Sequence, residues 1–272
     1  MAAHFMEHGI DRLLEIVKPG MLCAFDFDGT IAPIVDDLAA ARIPPPVLRR
    51  LAALAEFTPV AVITGRSVED VSLRLDFFPE FVVGNHGMEG LPGCEQSEEH
   101  YRSMCSEWLR KLHNAMKVES IDAAVWIEDK TYSLSIHYRQ AQDPSAAEKR
   151  LRQLIQATLP DARTVEGEFV FNILPADAPD KGQALSLLRT HAGASAALYV
   201  GDDVTDESVF DLPHDDLLTI RIEDYASTAA EFYLPDMQAM LPFLDMLLKR
   251  LIEMLRAEAV TRVPAVHEVK PA

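Results

Sequence analysis

The sequence predicts an α/β protein, with a parallel sheet covered by helices on both faces and a second α/β domain inserted into it. Three observations carry this. Short apolar runs alternate with helix-period segments over residues 1–90, a hairpin-bearing pattern takes over in 91–177, and the first pattern resumes at 178. Strands buried on both faces read as continuous apolar runs, as these do, whereas one-sided strands alternate. The first and last stretches therefore form a doubly wound, Rossmann-like core.

Taken in order, residues 5–17 read as one amphipathic helix that stops before Pro19-Gly20. Met21 to Phe25 is an apolar strand that runs straight into Asp26-Phe27-Asp28-Gly29-Thr30. A helix over Pro44 to Glu56 leads to a buried strand, Pro59 to Ile63, which ends at Thr64-Gly65-Arg66. A helix over 67–75 and a strand at Phe81-Val82-Val83 follow, closing on Gly84-Asn85-His86-Gly87. The inserted segment reads as a helix at 98–117, strands at 121–128 and 131–138 close enough to form a hairpin, a helix at 145–158, and one or two strands up to Leu174. Beyond Pro179 come a helix at 181–190, a strand from Ala196 to Val200, a helix from 205, a strand from Leu217 to Ile222 and a helix at 239–257. The domains expected are thus 1–90 and 178–258 for the core and 91–177 for the insertion, with 259–272 as a mobile tail lacking apolar period.

The chain has 272 residues, 49% of them apolar and 25% charged, which is the balance of an ordinary globular protein. Its 43 Asp and Glu against 25 Lys and Arg leave a net charge of −18. So acidic a surface repels nucleic-acid backbones and anionic lipid, and excludes both as expected partners. A small anionic substrate is compatible only where a local cation or bound metal overrides that field. Three cysteines, Cys23, Cys94 and Cys105, are too few and too scattered for a disulfide framework or a zinc site. No stretch approaches the roughly 18 apolar residues of a spanning helix, and the first residues lack a leader pattern. A cytoplasmic protein is expected; a monomer is the default, the sequence fixing no oligomeric state.

Chemistry concentrates at the strand ends. Asp26 and Asp28 alternate along an extended stretch, so both carboxylates can converge on one point where open α/β sheets bind ligands. Gly29 allows the chain to turn tightly around an anion, although Asp and Gly also make plain solvated turns. The second group, Gly201-Asp202-Asp203-Val204-Thr205-Asp206-Glu207, gathers carboxylates that repel unless a cation neutralises them. Hard oxygen ligands of this kind suit Mg²⁺. A helix N-terminus also favours acids, which accounts for Asp206 and Glu207 better than for adjacent Asp202 and Asp203. Thr64-Gly65-Arg66 and Lys181-Gly182 are weaker signals, each able to bring a phosphate-binding side chain to a strand end or helix start.

Taken in chain order, Asp26 to Thr30, Thr64, Lys181 and Gly201 to Asp206, the four groups resemble the haloacid dehalogenase-like phosphatases. The resemblance implies that Asp26 is the nucleophile forming an aspartyl-phosphate and that Asp28 is the acid and then the base. It implies that Thr64 holds a phosphate oxygen and that Lys181 stabilises charge. Mg²⁺ would be held by Asp26, the carbonyl of Asp28 and Asp202, with Asp203 and Asp206 nearby. An insertion between the Thr and Lys motifs is similar to the subclass IIB cap. Within that group Gly84 to Glu89, Ile127 to Arg139 and Gly201 to Phe210 resemble the trehalose-6-phosphate phosphatases. This implies phosphosugar hydrolysis, with Gly65, Arg66, Asn85, His86, Glu128, Lys130 and Arg139 on the substrate.

The inserted domain also reads without the resemblance. Tyr132, Leu134, Ile136 and Tyr138 alternate with Ser133, Ser135, His137 and Arg139, so the apolar set should pack on the helices. The other face, joined by Trp126 and Glu128, offers hydrogen-bonding groups suited to sugar hydroxyls, with Trp126 available for stacking. A wet sheet face is the plainer alternative. One departure concerns specificity. The resembling family often carries Glu-x-Arg/Lys-Pro where this chain has Asn172-Ile173-Leu174-Pro175. Another phosphosugar, such as sucrose-phosphate or a glycosyl-phosphoglycerate, stays open as substrate, as does a non-catalytic sugar-phosphate sensor.

Overall fold

The computed structural model describes residues 2–35, 40–167, 169–213 and 215–261. The chain separates into two compact units. One comprises the described residues of Met1–Ile63, Val71–Val82 and Lys181–Ala272, and the other those of Thr64–Asp70 and Val83–Asp180.

The first unit is built on seven strands: β1 (Ala3–His4), β2 (Leu22–Phe25), β3 (Val60–Ile63), β4 (Phe81–Val83), β9 (Ala197–Gly201), β10 (Leu217–Ile222) and β11 (Phe232–Leu234). They pair in the order β1-β11-β10-β9-β2-β3-β4, with parallel registers such as Cys23 opposite Leu198 and Val60. All four residues of β2 and of β3 are buried, which is why neither run alternates. The chain moves from β2 to β3 on one side and from β9 to β10 on the other. The neighbours β2 and β9 therefore flank a topological switch point, where the carboxyl ends of parallel strands leave a crevice.

Helices cover the sheet through regular apolar spacing. In α3 (Pro45–Ala55) Val47, Leu51 and Leu54 are buried, and in α9 (Met240–Thr261) the seam is Met240, Phe243, Leu244, Leu247 and Leu251. The expected helix over 5–17 is in fact two, α1 (Phe5–His8) and α2 (Ile10–Ile16). Gly9 separates them because the Phe5 ring folds back over it, and a Cβ there would lie 2.4 Å from that ring. Phe5 then stacks edge-on against Phe232 and Phe243. The segment expected as a helix from 205 is a 3₁₀ turn, Val204–Asp206, followed by a single turn, α8 (Glu207–Phe210). Helix α9 runs past the expected end at 257; residues 262–272 of the expected tail lie outside the described residues. Between β3 and β4, α4 spans only Val68–Ser72, and α7 (Lys181–Ala192) opens the return to the sheet.

The second unit holds α5 (Glu95–Val118), β5 (Trp126–Asp129), β6 (Leu134–His137), α6 (Pro144–Thr158), β7 (Ala162–Gly167) and β8 (Val170–Pro175). Its antiparallel sheet has the order β5-β6-β8-β7. The hairpin is shorter than expected because Asp122 turns the chain before β5, its carboxylate accepting from the amides of Ala124 and Gln142. Leu134, Ile136 and Tyr138 pack with Leu112 of α5 and Leu151 and Ile155 of α6, as the alternation required. Tyr132 joins a separate cluster with Met88, Tyr101 and Ala178. Among the described residues no helix is long and apolar enough to cross a membrane.

Candidate active site

Asp26 follows β2 directly and its amide donates to the carbonyl of Val200, so the end of β2 is tied to β9. Its side chain is nearly buried and lies 3.0 Å from the Lys181 ammonium at the start of α7. Lys181 Nζ also donates to Asp206 Oδ1 at 2.7 Å. That oxygen accepts a second bond from the Tyr199 hydroxyl at 2.6 Å, while Asp206 Oδ2 accepts from the amides of Asp202 and Asp203, each at 2.9 Å. Asp206 thus pins the loop after β9 to the sheet. Gly201 is required there, since a Cβ would lie 2.3 Å from that carboxylate.

Asp202 faces the loop after β2. Its Oδ1 accepts from Thr30 Oγ1 at 3.0 Å, and Gly29, at φ +78, presents its backbone so closely that a Cβ would lie 2.1 Å from Asp202 Oδ2. Asp28 is half-buried on the same turn, which closes through the Gly29 amide on the Ala32 carbonyl at 2.7 Å. Asp203 is exposed, its side chain accepting from Thr205. Burial pushes the Asp26 carboxyl well above the aspartate range, against the pull of Lys181. Burial likewise raises Asp202 to about 6. For Lys181 burial acts downward, but Asp26 and Asp206 together outweigh it and hold the ammonium charged.

Thr64, Gly65, Arg66, Asn85 and His86 come together in the second unit. The Thr64 amide donates to the carbonyl of Val83, the His86 amide to that of Thr64 and the Asn85 amide to that of Arg66. Asn85 and His86 take left-handed conformations, at φ 49 and 59, and the His86 ring lies over Gly65, where a Cβ would sit 2.5 Å from it. Glu89 locks the pair of loops by accepting from the Val68 amide and from Asn85 Nδ2, both at 2.8 Å. Arg66 pairs with Asp70 at 2.7 Å.

On the outer face of the antiparallel sheet, Glu128 accepts or shares a proton with His137 Nε2 at 2.9 Å and lies 3.7 Å from Lys130. Arg139 sits beyond the Trp126–His137 end of the hairpin, over the ring of Phe169. Ser135 Oγ donates to Asn172 Oδ1 at 2.7 Å, so the departed position lies in register with Glu128 one strand further on, across Ser135.

A family model of trehalose-phosphatases matches residues 24–231, a span that holds the whole of this geometry. The chain belongs to the trehalose-phosphatase family. A trehalose-phosphate phosphatase of Mycobacterium tuberculosis is 30% identical over 240 residues, covering 84% of this chain and 61% of that protein. A trehalose 6-phosphate phosphatase of Zea mays is 29% identical over 224 residues, covering 74% of this chain and 61% of the relative. The chain therefore spans about three fifths of the length of these curated relatives. In fold, the structure of Aspergillus fumigatus trehalose-6-phosphate phosphatase superposes with a TM-score of 0.67 at 22% identity, covering 92% of this chain and 99% of that one.

For this trehalose-phosphatase relative, the resemblance implies Mg²⁺, and the acidic cluster fits it. Carboxylate oxygens of Asp26, Asp202 and Asp206 lie within 4.8 Å of one another. A divalent cation among these three carboxyls would favour their ionised forms, opposing the burial that raises Asp26 and Asp202. Asp206 is saturated by its four donors, so Asp26 and Asp202 are the side chains left to ligate. Sequence reasoning missed Tyr199 and Arg221. Tyr199 was visible as the one polar-tipped side chain in Ala197-Leu198-Tyr199-Val200. Arg221 holds the same loop from β10, donating to the carbonyl of Asp203 at 3.0 Å and to Glu207 at 2.9 Å. No local signal distinguished it.

Proposed function

We propose that this protein hydrolyses trehalose 6-phosphate to trehalose and phosphate through an aspartyl-phosphate on Asp26. The observation that carries the reading is the buried Asp26–Lys181–Asp206 array at the switch point, inside the span matched by the family. One Asp26 oxygen attacks phosphorus and the bond from phosphorus to the sugar oxygen breaks. Asp28 gives its proton to that oxygen, then takes one from the water that attacks the aspartyl-phosphate, releasing phosphate and restoring Asp26. Lys181 and Thr64 stabilise the phosphoryl oxygens, and Asp206 keeps Lys181 charged and aimed. Asp26, Asp202 and the Asp28 carbonyl would hold Mg²⁺, which would supply charge neutralisation on phosphate when bound.

Residues 91–177 act as the substrate-specificity cap in this reading. Gly65, Arg66, Asn85, His86, Glu128, Lys130 and Arg139 contact substrate, with Asp203 supporting the loop. A cytoplasmic setting is supported by three free thiols, Cys23, Cys94 and Cys105. A second reading, another phosphosugar as substrate, is favoured by Asn172 holding Ser135 where the family often carries an acid. The test is phosphate release from a panel of phosphosugars with Mg²⁺ and with EDTA. Trehalose 6-phosphate should stand far above the rest and fall silent in EDTA, and Asp26→Asn should lose at least about a thousandfold in rate. A different preferred sugar moves the substrate assignment and leaves the core chemistry; no Mg²⁺-dependent release from any phosphate ester supports the sensor.

A further inference from the structure

The outer face of the cap sheet carries an aromatic pair that the proposed chemistry does not use. Trp126 and His137 are direct cross-strand partners, and their rings stack at 4.2 Å with 16° between planes. His137 is fixed from its other side, since Nε2 lies 2.9 Å from the Glu128 carboxylate, one residue pair along the same face. The far neighbours in the row are Val170 and then Gly167, so no large side chain follows His137 across the sheet. One face of the indole is thus covered by imidazole, yet Trp126 remains 50% exposed. A tryptophan that half exposed forgoes the largest apolar burial of any side chain, while a charged contact holds it flat.

A pyranose ring suits such a surface, because its axial C–H bonds form an apolar face matching an indole in size while its hydroxyls point outward. Those hydroxyls would meet Glu128 and, across the buried Ser135, Asn172 in the adjacent row, a carboxylate acceptor and an amide donor. We propose that Trp126 is the sugar-ring contact of this cap and that His137, oriented by Glu128, is the positioning residue that keeps the indole flat. The proposal rests on the phosphosugar reading for the class of ligand, but not on which sugar it is.

Two tryptophans make the test direct. Trp108 lies buried among the cap helices, so Trp126 reports the outer face separately. The full chain, Trp108→Phe and Trp126→Phe would be titrated with trehalose, sucrose and glucosylglycerate while emission is followed. Trehalose should change the emission of the wild type and of Trp108→Phe and leave that of Trp126→Phe unaltered. His137→Ala should weaken sugar binding about tenfold, and His137→Phe, which keeps a flat ring under the indole, should restore most of it. A sugar response that persists in Trp126→Phe overturns the proposal. So does hydrolysis of trehalose 6-phosphate with no response of Trp126 to any sugar. A response to another disaccharide alone sustains the platform and overturns trehalose as the ligand, which separates the two readings.

Discussion

At the ends of β2 and β9, Asp206 is fully buried and takes four hydrogen bonds, two of them from backbone amides. On the outer face of β5 and β6, Trp126 is half exposed and Glu128, Lys130 and His137 are each partly wet. The first region is held by backbone and by a buried ion array, where removing one partner strands another. The second is held by side chains alone on a regular sheet, where residues can be exchanged without disturbing the strands. Under the proposed function, chemistry that must be identical at every turnover would sit in the first kind of structure, and recognition of a particular sugar would suit the second.

This contrast is most severely tested at Asp206. Asp206→Asn should cost about 3–5 kcal/mol in denaturant unfolding and remove most phosphate release, because Lys181 loses a buried counter-ion. Retention of full stability would mean that the floor is not held by this array. Gly29→Ala should cost about 1–3 kcal/mol from its left-handed conformation, and more as its Cβ displaces the Asp202 carboxylate. Gly20 at φ +75 has nothing within 4 Å of the same position, so Gly20→Ala gives the backbone cost alone and should leave activity intact. Tyr199→Phe removes one of the four donors and should cost about 1.5–3 kcal/mol, with Asp206 still held by Lys181.

The smallest effect belongs to the cap. The amides of Ala124 and Gln142 hold the Asp122 carboxyl below the aspartate range, so the folded pKa lies under the unfolded one. Its stabilisation is therefore present above the unfolded pKa of about 3.9 and is lost as pH falls through the folded value. Asp122→Asn should lower the unfolding midpoint slightly at pH 7 and leave it unchanged near pH 2. An equal difference at both pH values would deny that the charge matters.

Much of this was legible beforehand. The apolar runs located β2, β3, β9 and β10, since burial on both faces leaves no ambiguity of period, while the glycine-bounded stretch Gly84-Asn85-His86-Gly87 marked the end of β4. The two-residue β1 and three-residue β11 were missed because strands so short display no period at all. Gly9 broke the first helix through contact with Phe5, which no local pattern announces. The motifs located Asp26, Lys181 and Asp202, and the structure joins Thr64 to His86 and Arg66 to Asn85 through backbone bonds. Arg221 was hidden because its partners lie on other elements, and Tyr199, though visible as a polar tip in an apolar strand, was passed over because a single buried Tyr is read from sequence as packing. The chain's departure at Asn172 was visible, but its bond to Ser135 needed the strand register.

The order in which this site becomes possible follows from its connectivity. Thr30 meets Asp202 across 172 residues of chain, and β1 waits for β11, with Ala3 opposite Phe232. The antiparallel sheet needs nothing outside 126–175. As the polypeptide leaves the ribosome, the antiparallel sheet can thus reach its native pairing while β1, β2, β3 and β4 of the parallel sheet still lack β9, β10 and β11. Non-local parallel pairing is slow and leaves strand edges uncovered, so the nascent β2–β3–β4 fragment is the stage most exposed to aggregation or chaperone capture.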